Sequence, residues 1–239
     1  MQIVRHGNKM KFYYDLHIHS DLSPCGASDM TPNNIINMSL IKGLDIISVT
    51  DHNSAGNLCA VMELGKKTGI KVIPGLEVTT KEEVHVLCYF KELDRAIEFG
   101  NIIYNSLPFI KNNPEIFGEQ NIYNSKDEII STLEKLLINA SPYTIEDIYS
   151  IVKKYDGVMI PAHINKMTNG ILGVLGFMPI NLRIETVEVY SKMPINGKIA
   201  VKYKVIYNSD AHQLVDISEA VNYFELNDIN DIYNFLGMT

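Results

Sequence analysis

Short apolar, β-branched runs alternate with helical patterns along most of the chain. Tyr13-Tyr14-Asp15-Leu16-His17-Ile18-His19 has the period of two expected of a strand. Thr31-Pro32 then marks a helix start, with a hydroxyl cap and a proline in the first turn, and Gly43 marks its end. Leu44-Asp45-Ile46-Ile47-Ser48-Val49-Thr50 is apolar enough to predict a strand buried on both faces. Ser54 to Gly69 reads as a second helix. Lys71-Val72-Ile73-Pro74-Gly75-Leu76-Glu77-Val78 and Val84-His85-Val86-Leu87-Cys88-Tyr89-Phe90 read as strands. Thr144-Ile145-Glu146-Asp147 predicts a capping box for a helix that ends near Gly157. Val158-Met159-Ile160-Pro161-Ala162-His163, Thr186-Val187-Glu188-Val189-Tyr190 and Val205-Ile206-Tyr207-Asn208-Ser209-Asp210 are three further strands. This order predicts an α/β fold with a parallel sheet, open or closed into a barrel, with chemistry at the carboxyl ends of the strands.

The stretch from about Glu92 to Asn139 breaks the rhythm. It is helical and polar in places, with Pro108, Pro114 and Gly118 interrupting it. It is expected to be a helical insertion or lid (92–140) that carries part of the specificity. No repeat or composition break divides the chain, so residues 1–239 are expected to form a single domain.

Composition narrows the setting. The 239 residues are 46% hydrophobic and 21% charged, which suits a globular domain with a core of its own. No apolar run reaches the roughly 18–20 residues of a membrane span, and the N-terminus lacks the apolar segment of a signal peptide. Three cysteines at irregular spacing do not make a disulfide framework, and a cytoplasmic location is expected. The net charge of −7 argues against nucleic acid as a partner, since a duplex demands a basic footprint.

The seven histidines become informative by position. His17 and His19, two apart on one strand, project from the same face. Asp51-His52 closes the second strand, Glu77 lies near the end of the next, and His85 opens the one after it. His163 ends a further strand, and Asp210-Ala211-His212 follows the last clear one. Taken singly, each has a bland explanation: a turn, a solvated strand end or a helix cap. Together at successive strand ends, these imidazoles and carboxylates have the donor chemistry of a hard-to-borderline metal site.

The ordered set Asp15-Leu16-His17-Ile18-His19-Ser20, Thr50-Asp51-His52-Asn53, Gly75-Leu76-Glu77-Val78, Val84-His85-Val86-Leu87, Pro161-Ala162-His163 and Ser209-Asp210-Ala211-His212 resembles the polymerase-and-histidinol-phosphatase (PHP) superfamily of metal-dependent phosphoesterases. The resemblance covers residues 15 to 212. Met10-Lys11-Phe12 also resembles the usual start of such proteins, which implies that residues 1–9 are an extension. It implies a distorted (β/α)7 barrel with two or three divalent ions (zinc, manganese or iron) at the carboxyl face. It further implies one ion on His17, His19, Glu77 and Asp210, and a second on Glu77, His85 and His163, bridged by Glu77. His52 and His212 would hold a third, and Asp51 would orient a ligand rather than bind. The implied activity is hydrolysis of a phosphate ester on a small phosphorylated metabolite or nucleotide, by a hydroxide shared between two ions. Asp210 or His212 would pass a proton to the leaving group. The alternatives are a metal- and phosphometabolite-binding regulatory domain without turnover, and a 3′–5′ exonuclease, which length and acidity disfavour. The amidohydrolase barrel also begins with His-x-His, but its strand lysine has no counterpart in this chain.

Two departures stand out. Where relatives supply a histidine or aspartate to the third ion, Ser20-Asp21-Leu22-Ser23-Pro24-Cys25-Gly26 offers Cys25, either a thiolate ligand favouring zinc or a small residue in a tight turn. Where the family often has arginine after the Pro161-Ala162-His163 motif, Asn165-Lys166 stands instead. Lys166 is expected to meet substrate phosphate as a point charge, or else to be an exposed loop lysine.

Overall fold

The computed structural model describes residues 9–190, 193 and 197–238. The expected extension at residues 1–9, His6 included, falls outside the described residues except for Lys9. Strand β1 (Met10–Ile18) turns from an exposed start to a fully buried end. Helix α1 (Pro32–Ile41) starts as expected, with the Thr31 hydroxyl accepting from the Asn34 amide and Pro32 in the first turn. Strand β2 (Ile46–Val49) is buried along its whole length and pairs parallel to β1. Helix α2 (Leu58–Thr68) begins later than Ser54. Asn57 spends its side chain on neighbouring loops, donating to Ser20 Oγ at 2.8 Å and accepting from the Tyr123 amide at 2.8 Å. The helix ends at Gly69, whose φ of 87° suits only a residue without a side chain.

Pro74 has no N–H to give a ladder, and the expected Lys71–Val78 strand divides there into β3 (Lys71–Val72) and β4 (Gly75–Thr79). β4 pairs with β5 (His85–Tyr89), and β5 pairs with β8, both antiparallel. This corrects the expectation of a parallel sheet. Residues 80–84 are too few for the crossover of a dozen or more that a parallel connection requires.

Helix α3 (Leu93–Ser106) is followed by α4 (Pro114–Phe117), β6 (Asn121–Tyr123) and β7 (Ile129–Thr132). The region 92–140 is therefore only partly helical. Ala96, Phe99 and Ile103 of α3 belong to the main core, and β6 and β7 form an antiparallel hairpin that short-range periodicity did not signal.

Helix α5 (Ile145–Lys154) has the expected capping box between Thr144 and Asp147. It leads into β8 (Val158–Pro161) and the short helix α6 (Ile171–Val174). β9 (Thr186–Glu188), α7 (Gly197–Lys202) and β10 (Lys204–Ile206) follow, with β9 and β10 parallel. β11 (Tyr223–Leu226) pairs antiparallel with β1, and α8 (Asp231–Leu236) ends the fold.

The described strands form four ladders: β11-β1-β2-β3, β4-β5-β8, β10-β9 and β6-β7. Strand-to-strand pairing by itself leaves them as separate ladders. Isolated bridges at His52–Glu77 and Ile18–Ala211 join three of them, and both joins fall at candidate site residues or their neighbours. The two largest of four apolar clusters among the described residues lie outside and between these strands. One packs α3 and α5 on β4, β5 and β8 through Phe90, Phe99, Ile148 and Val152. The other packs Leu16, Ile46, Tyr89 and Ile160 with α8, and there Tyr14 stacks on Phe224 at 3.9 Å. Full burial of each such side chain contributes about 1.5–3 kcal/mol. The backbone at the strand ends is thereby held firmly enough to carry polar side chains without water. No helix among the described residues is long and apolar enough to cross a membrane, and the three cysteines are unpaired.

Candidate metal centre

The ends of β1, β2, β4 and β8 and the turn after β10 converge on Glu77, which is 1% exposed. Its carboxylate faces five imidazoles. His85 Nδ1 lies 2.9 Å from Oε1, His163 Nε2 3.2 Å and His17 Nε2 3.4 Å. His52 Nδ1 lies 3.0 Å and His19 Nε2 3.5 Å from Oε2. Asp210 Oδ1 completes the group at 3.3 Å from both His17 Nε2 and His19 Nε2. His163 and Asp210 hold their places with φ of 27° and 53°, a left-handed backbone uncommon for such residues and typical of functional turns.

Hydrogen bonding decides what these atoms can hold. His17 Nδ1 lies 3.0 Å from both oxygens of Glu188, which can only accept, so its proton sits there and Nε2 is left with a lone pair. Ser23 Oγ donates to Asp51 Oδ1 at 2.7 Å and so accepts from His19 Nδ1 at 3.0 Å. That leaves His19 Nε2 with a lone pair as well. The two lone pairs meet at 3.1 Å, flanked by the carboxylates of Glu77 and Asp210. Such a cluster of acceptors in a buried site needs a cation at its centre. Glu77 Oε2, His52 Nδ1 and His163 Nδ1 are also buried without a hydrogen-bond partner. His17, His19 and Glu77, and likewise His52, Glu77 and His85, each offer donor atoms within 4.8 Å of one another, which suits a divalent ion.

Protons stand in where no cation is bound. Burial opposes charge on His17, but Glu188, Asp210 and Glu77 outweigh it and raise its pKa well above the ordinary value. Burial and the neighbouring His52 push His19 well below. Burial likewise lowers His85, despite Glu77. Burial works against ionisation of Glu77, yet His85, His17 and His52 hold it well below the usual carboxylate range. Asp210, also against its burial, is held low chiefly by His17.

The expected residues all reach this region, with changes in grouping. His52 approaches Glu77 and His85 as well as the outer set of His19, Cys25 and His212, so it does not stand apart with His212. Asp51 stays behind the site, accepting from Ser20 N, Ser20 Oγ and Ser23 Oγ at 2.6–2.7 Å. Lys166 arrives as neither a free charge nor an idle loop residue. Its ammonium pairs with Asp210 Oδ2 and lies 4.5 Å over the Tyr190 ring. A cavity of about 650 Å³ opens beside Lys166, Asp210 and His212 and is walled by Tyr190, Tyr207 and Asn222. No residue of 92–140 lines it. The hairpin instead braces the loop after β1, where Asn121 Nδ2 donates to Asp21 Oδ2 at 2.8 Å.

Glu188 is the functional residue that periodicity missed. It is buried and takes His17 Nδ1, the His163 amide at 2.7 Å and Asn208 Nδ2 at 2.6 Å. The signal was present: a lone carboxylate between Val187 and Val189 in a strand otherwise fit for burial. Asp15 is similar, buried and accepting from the amides of Ser209 and Ser218, where it fixes the turn that carries Asp210.

Comparison with known proteins bears on the family. The PHP domain family matches residues 15–168, more than half of the chain. The phosphoribosyl 1,2-cyclic phosphate 1,2-diphosphodiesterase of Eggerthella lenta is 32% identical over 78 residues, 30% of this chain and 29% of its own. The matches to curated relatives span less than half of those proteins' length. A structure described as a candidate metal-dependent phosphoesterase from Bifidobacterium adolescentis has a TM-score of 0.60 at 14% identity, covering 95% of this chain and 96% of that one. Endonuclease Q, solved with a 27-mer duplex bearing an abasic lesion at its active site, also has a TM-score of 0.60. It is 19% identical, over 86% of this chain and 50% of its own. This last likeness corrects the inference from net charge. A fold of this kind takes a nucleic-acid substrate in endonuclease Q, so a charge of −7 over the whole chain does not exclude such a partner. A buried Glu77 ringed by imidazoles, the motifs in their order and the match over residues 15–168 together place the chain in the PHP domain family.

Proposed function

We propose that the chain is a metal-dependent hydrolase of phosphate esters, working at two or three divalent ions gathered around Glu77. The observation that carries this reading is the meeting of the His17 and His19 lone pairs with two carboxylates in a buried site beside a cavity. His17, His19, Glu77 and Asp210 would hold one ion, and Glu77 with His85 and His163 another. Bound there, divalent ions supply Lewis acidity and a lowered pKa for water. Glu188 and the Ser23–Asp51 pair keep the protons of His17 and His19 on the outward nitrogens. Lys166 places a positive charge at the cavity wall, where it offsets phosphoryl charge. Asp210, held ionised by His17 and Lys166, acts as an anion and not as a proton donor. His212 Nδ1 is engaged by the Asp210 carbonyl at 2.8 Å, so Nε2 is the atom left to meet an ion or to pass a proton to the leaving oxygen.

The joins between ladders support a distorted ring of seven strands in the order β9-β10-β1-β2-β4-β5-β8. The Ile18–Ala211 and His52–Glu77 bridges link successive arcs, and the Ile164 amide reaches Glu188 O at 2.9 Å.

The test is metal analysis of the purified chain followed by a panel of sugar phosphates, nucleoside monophosphates, cyclic and acyclic phosphodiesters, and DNA and RNA oligonucleotides. Glu77→Ala should lose bound metal and cut kcat/KM by about 10³-fold or more on whichever substrate is active. Turnover unchanged in that variant would sink the reading.

A further inference from the structure

The outer edge of the centre carries a donor set of different chemistry. One donor atom each from His19, Cys25, His52 and His212 lies within 4.8 Å of the others. A tetrahedral ion with bonds of about 2.0–2.3 Å spaces its donors roughly 3.3–3.8 Å apart, so a small closure brings them to bonding distance.

The loop is built to hold the sulfur there. Ser23 N donates to Ser20 O at 3.0 Å, and Gly26 N to Ser23 O at 2.8 Å. A Cβ on Gly26 would lie 2.3 Å from Ser20 O, so only glycine lets the turn close beside Cys25. Ala27 N donates to His212 O at 2.8 Å and stitches the loop to the segment that carries His212. Because His212 Nδ1 is spent on the Asp210 carbonyl, its Nε2 is the free donor. His52 belongs to both sets and presents Nδ1 to Glu77. A neutral ring holds one proton, so an ion on Nε2 would leave that proton on Nδ1, the nitrogen 3.0 Å from Glu77 Oε2.

We propose that Cys25, His52 and His212 form a thiolate–imidazole position that selects zinc, chemically distinct from the oxygen- and nitrogen-rich positions at Glu77. Thiolate is a soft donor that favours zinc over manganese or magnesium, whereas the carboxylate and imidazole donors around Glu77 accept a wider range. The proposal rests on the metal-centre reading but not on phosphoester hydrolysis.

The test uses the full chain with Cys59, the other exposed cysteine, replaced by serine. Stripped with chelator and refilled with cobalt(II), it should show a sulfur-to-cobalt charge-transfer band in the near ultraviolet. Cys25→Ser should abolish the band and lower zinc content by about one ion per chain, and His212→Ala should weaken it. Glu77→Gln should keep it. A cobalt-filled chain with no sulfur band, or a Cys25→Ser chain with undiminished zinc, would overturn the proposal. The first of these needs no folded Cys25 variant. A chain with the band but inactive on every phosphate ester would count against the hydrolase reading alone.

Discussion

The two sides of the centre are supported differently. On the Glu77 side, His17 and His19 are fully buried at the end of a strand, and each has its second nitrogen engaged, by Glu188 and by Ser23. On the Cys25 side, the donors sit on loops. Cys25 is exposed, and the His212 ring nitrogen Nδ1 is held by a backbone carbonyl two residues away. Carboxylate backing raises ligand basicity and fixes the ring, whereas a carbonyl fixes the ring with no added charge. On the reading proposed above, the inner group would hold its ion tightly and the outer position would gain or lose one more readily.

Glu188→Gln should separate the two sides most sharply. An amide nitrogen placed at either oxygen would face the His163 amide or the Asn208 amino group, donor against donor, and the charge opposite His17 would be gone. Metal affinity on the Glu77 side should fall about 10–100-fold. The sulfur-to-cobalt band of the outer position should persist. Titration with a competing chelator measures the first, and absorbance the second; equal loss on both sides would show that they are one coupled site.

Metal removal gives a smaller, pH-dependent effect. In the metal-free chain, burial opposes protonation of His17 and His52, but Glu188, Asp210 and Glu77 at His17, and Glu77 and Cys25 at His52, outweigh it and raise both pKa values. The stability this contributes is fully present below the ordinary histidine pKa and is lost as pH rises through the raised values. Glu77 and Asp210 are shifted the other way, so their contribution holds at neutral pH and is lost only in acid. The metal-free chain should therefore lose thermal stability as pH rises above the ordinary histidine range, while the metal-filled chain, with ions in place of protons, should not. Scanning calorimetry of both forms across that range measures it, and a gap that stays constant or narrows would contradict the proton-for-metal exchange.

Most of the centre was legible because strand ends are where local patterns are strongest. His17 and His19 alternate with Leu16 and Ile18, and Glu77 follows a proline-interrupted apolar run. Less legible were features set by contacts distant in sequence. Glu188 meets His17 across 171 positions, and its role depends on β9 lying beside β8. The direction of β5 was fixed by the length of one loop and not by its composition. The β6–β7 hairpin has an exposed second strand with no alternation, and its attachment runs through Asn57 and Asp21, residues whose partners no window of sequence contains. The charge balance misled because a sum over 28 acidic and 21 basic residues counts Glu77, Asp210 and Glu188 as surface charge, although all three are turned inward.

Asp51→Asn should have the smallest effect and tests whether the layer behind the ligands acts through geometry or charge. Asp51 touches neither set directly; it reaches His19 through Ser23 Oγ and is adjacent in sequence to His52. With its amide oxygen on Ser20 N and Ser23 Oγ, asparagine would keep the Ser23 hydroxyl pointed away from His19, so the His19 proton would stay on Nδ1. The cost falls on Ser20 Oγ, which already accepts from Asn57 Nδ2 and the Leu22 amide and would lose the acceptor for its own proton. Leaving that buried donor unmet should cost about 1–3 kcal/mol in unfolding free energy, with metal affinity on both sides changed by less than about 3-fold. Denaturant unfolding and chelator titration on one preparation measure the two quantities together. If affinity fell 10-fold or more on either side, the Asp51 charge itself would be acting on the ions, and the backing of the inner group would be electrostatic as well as geometric.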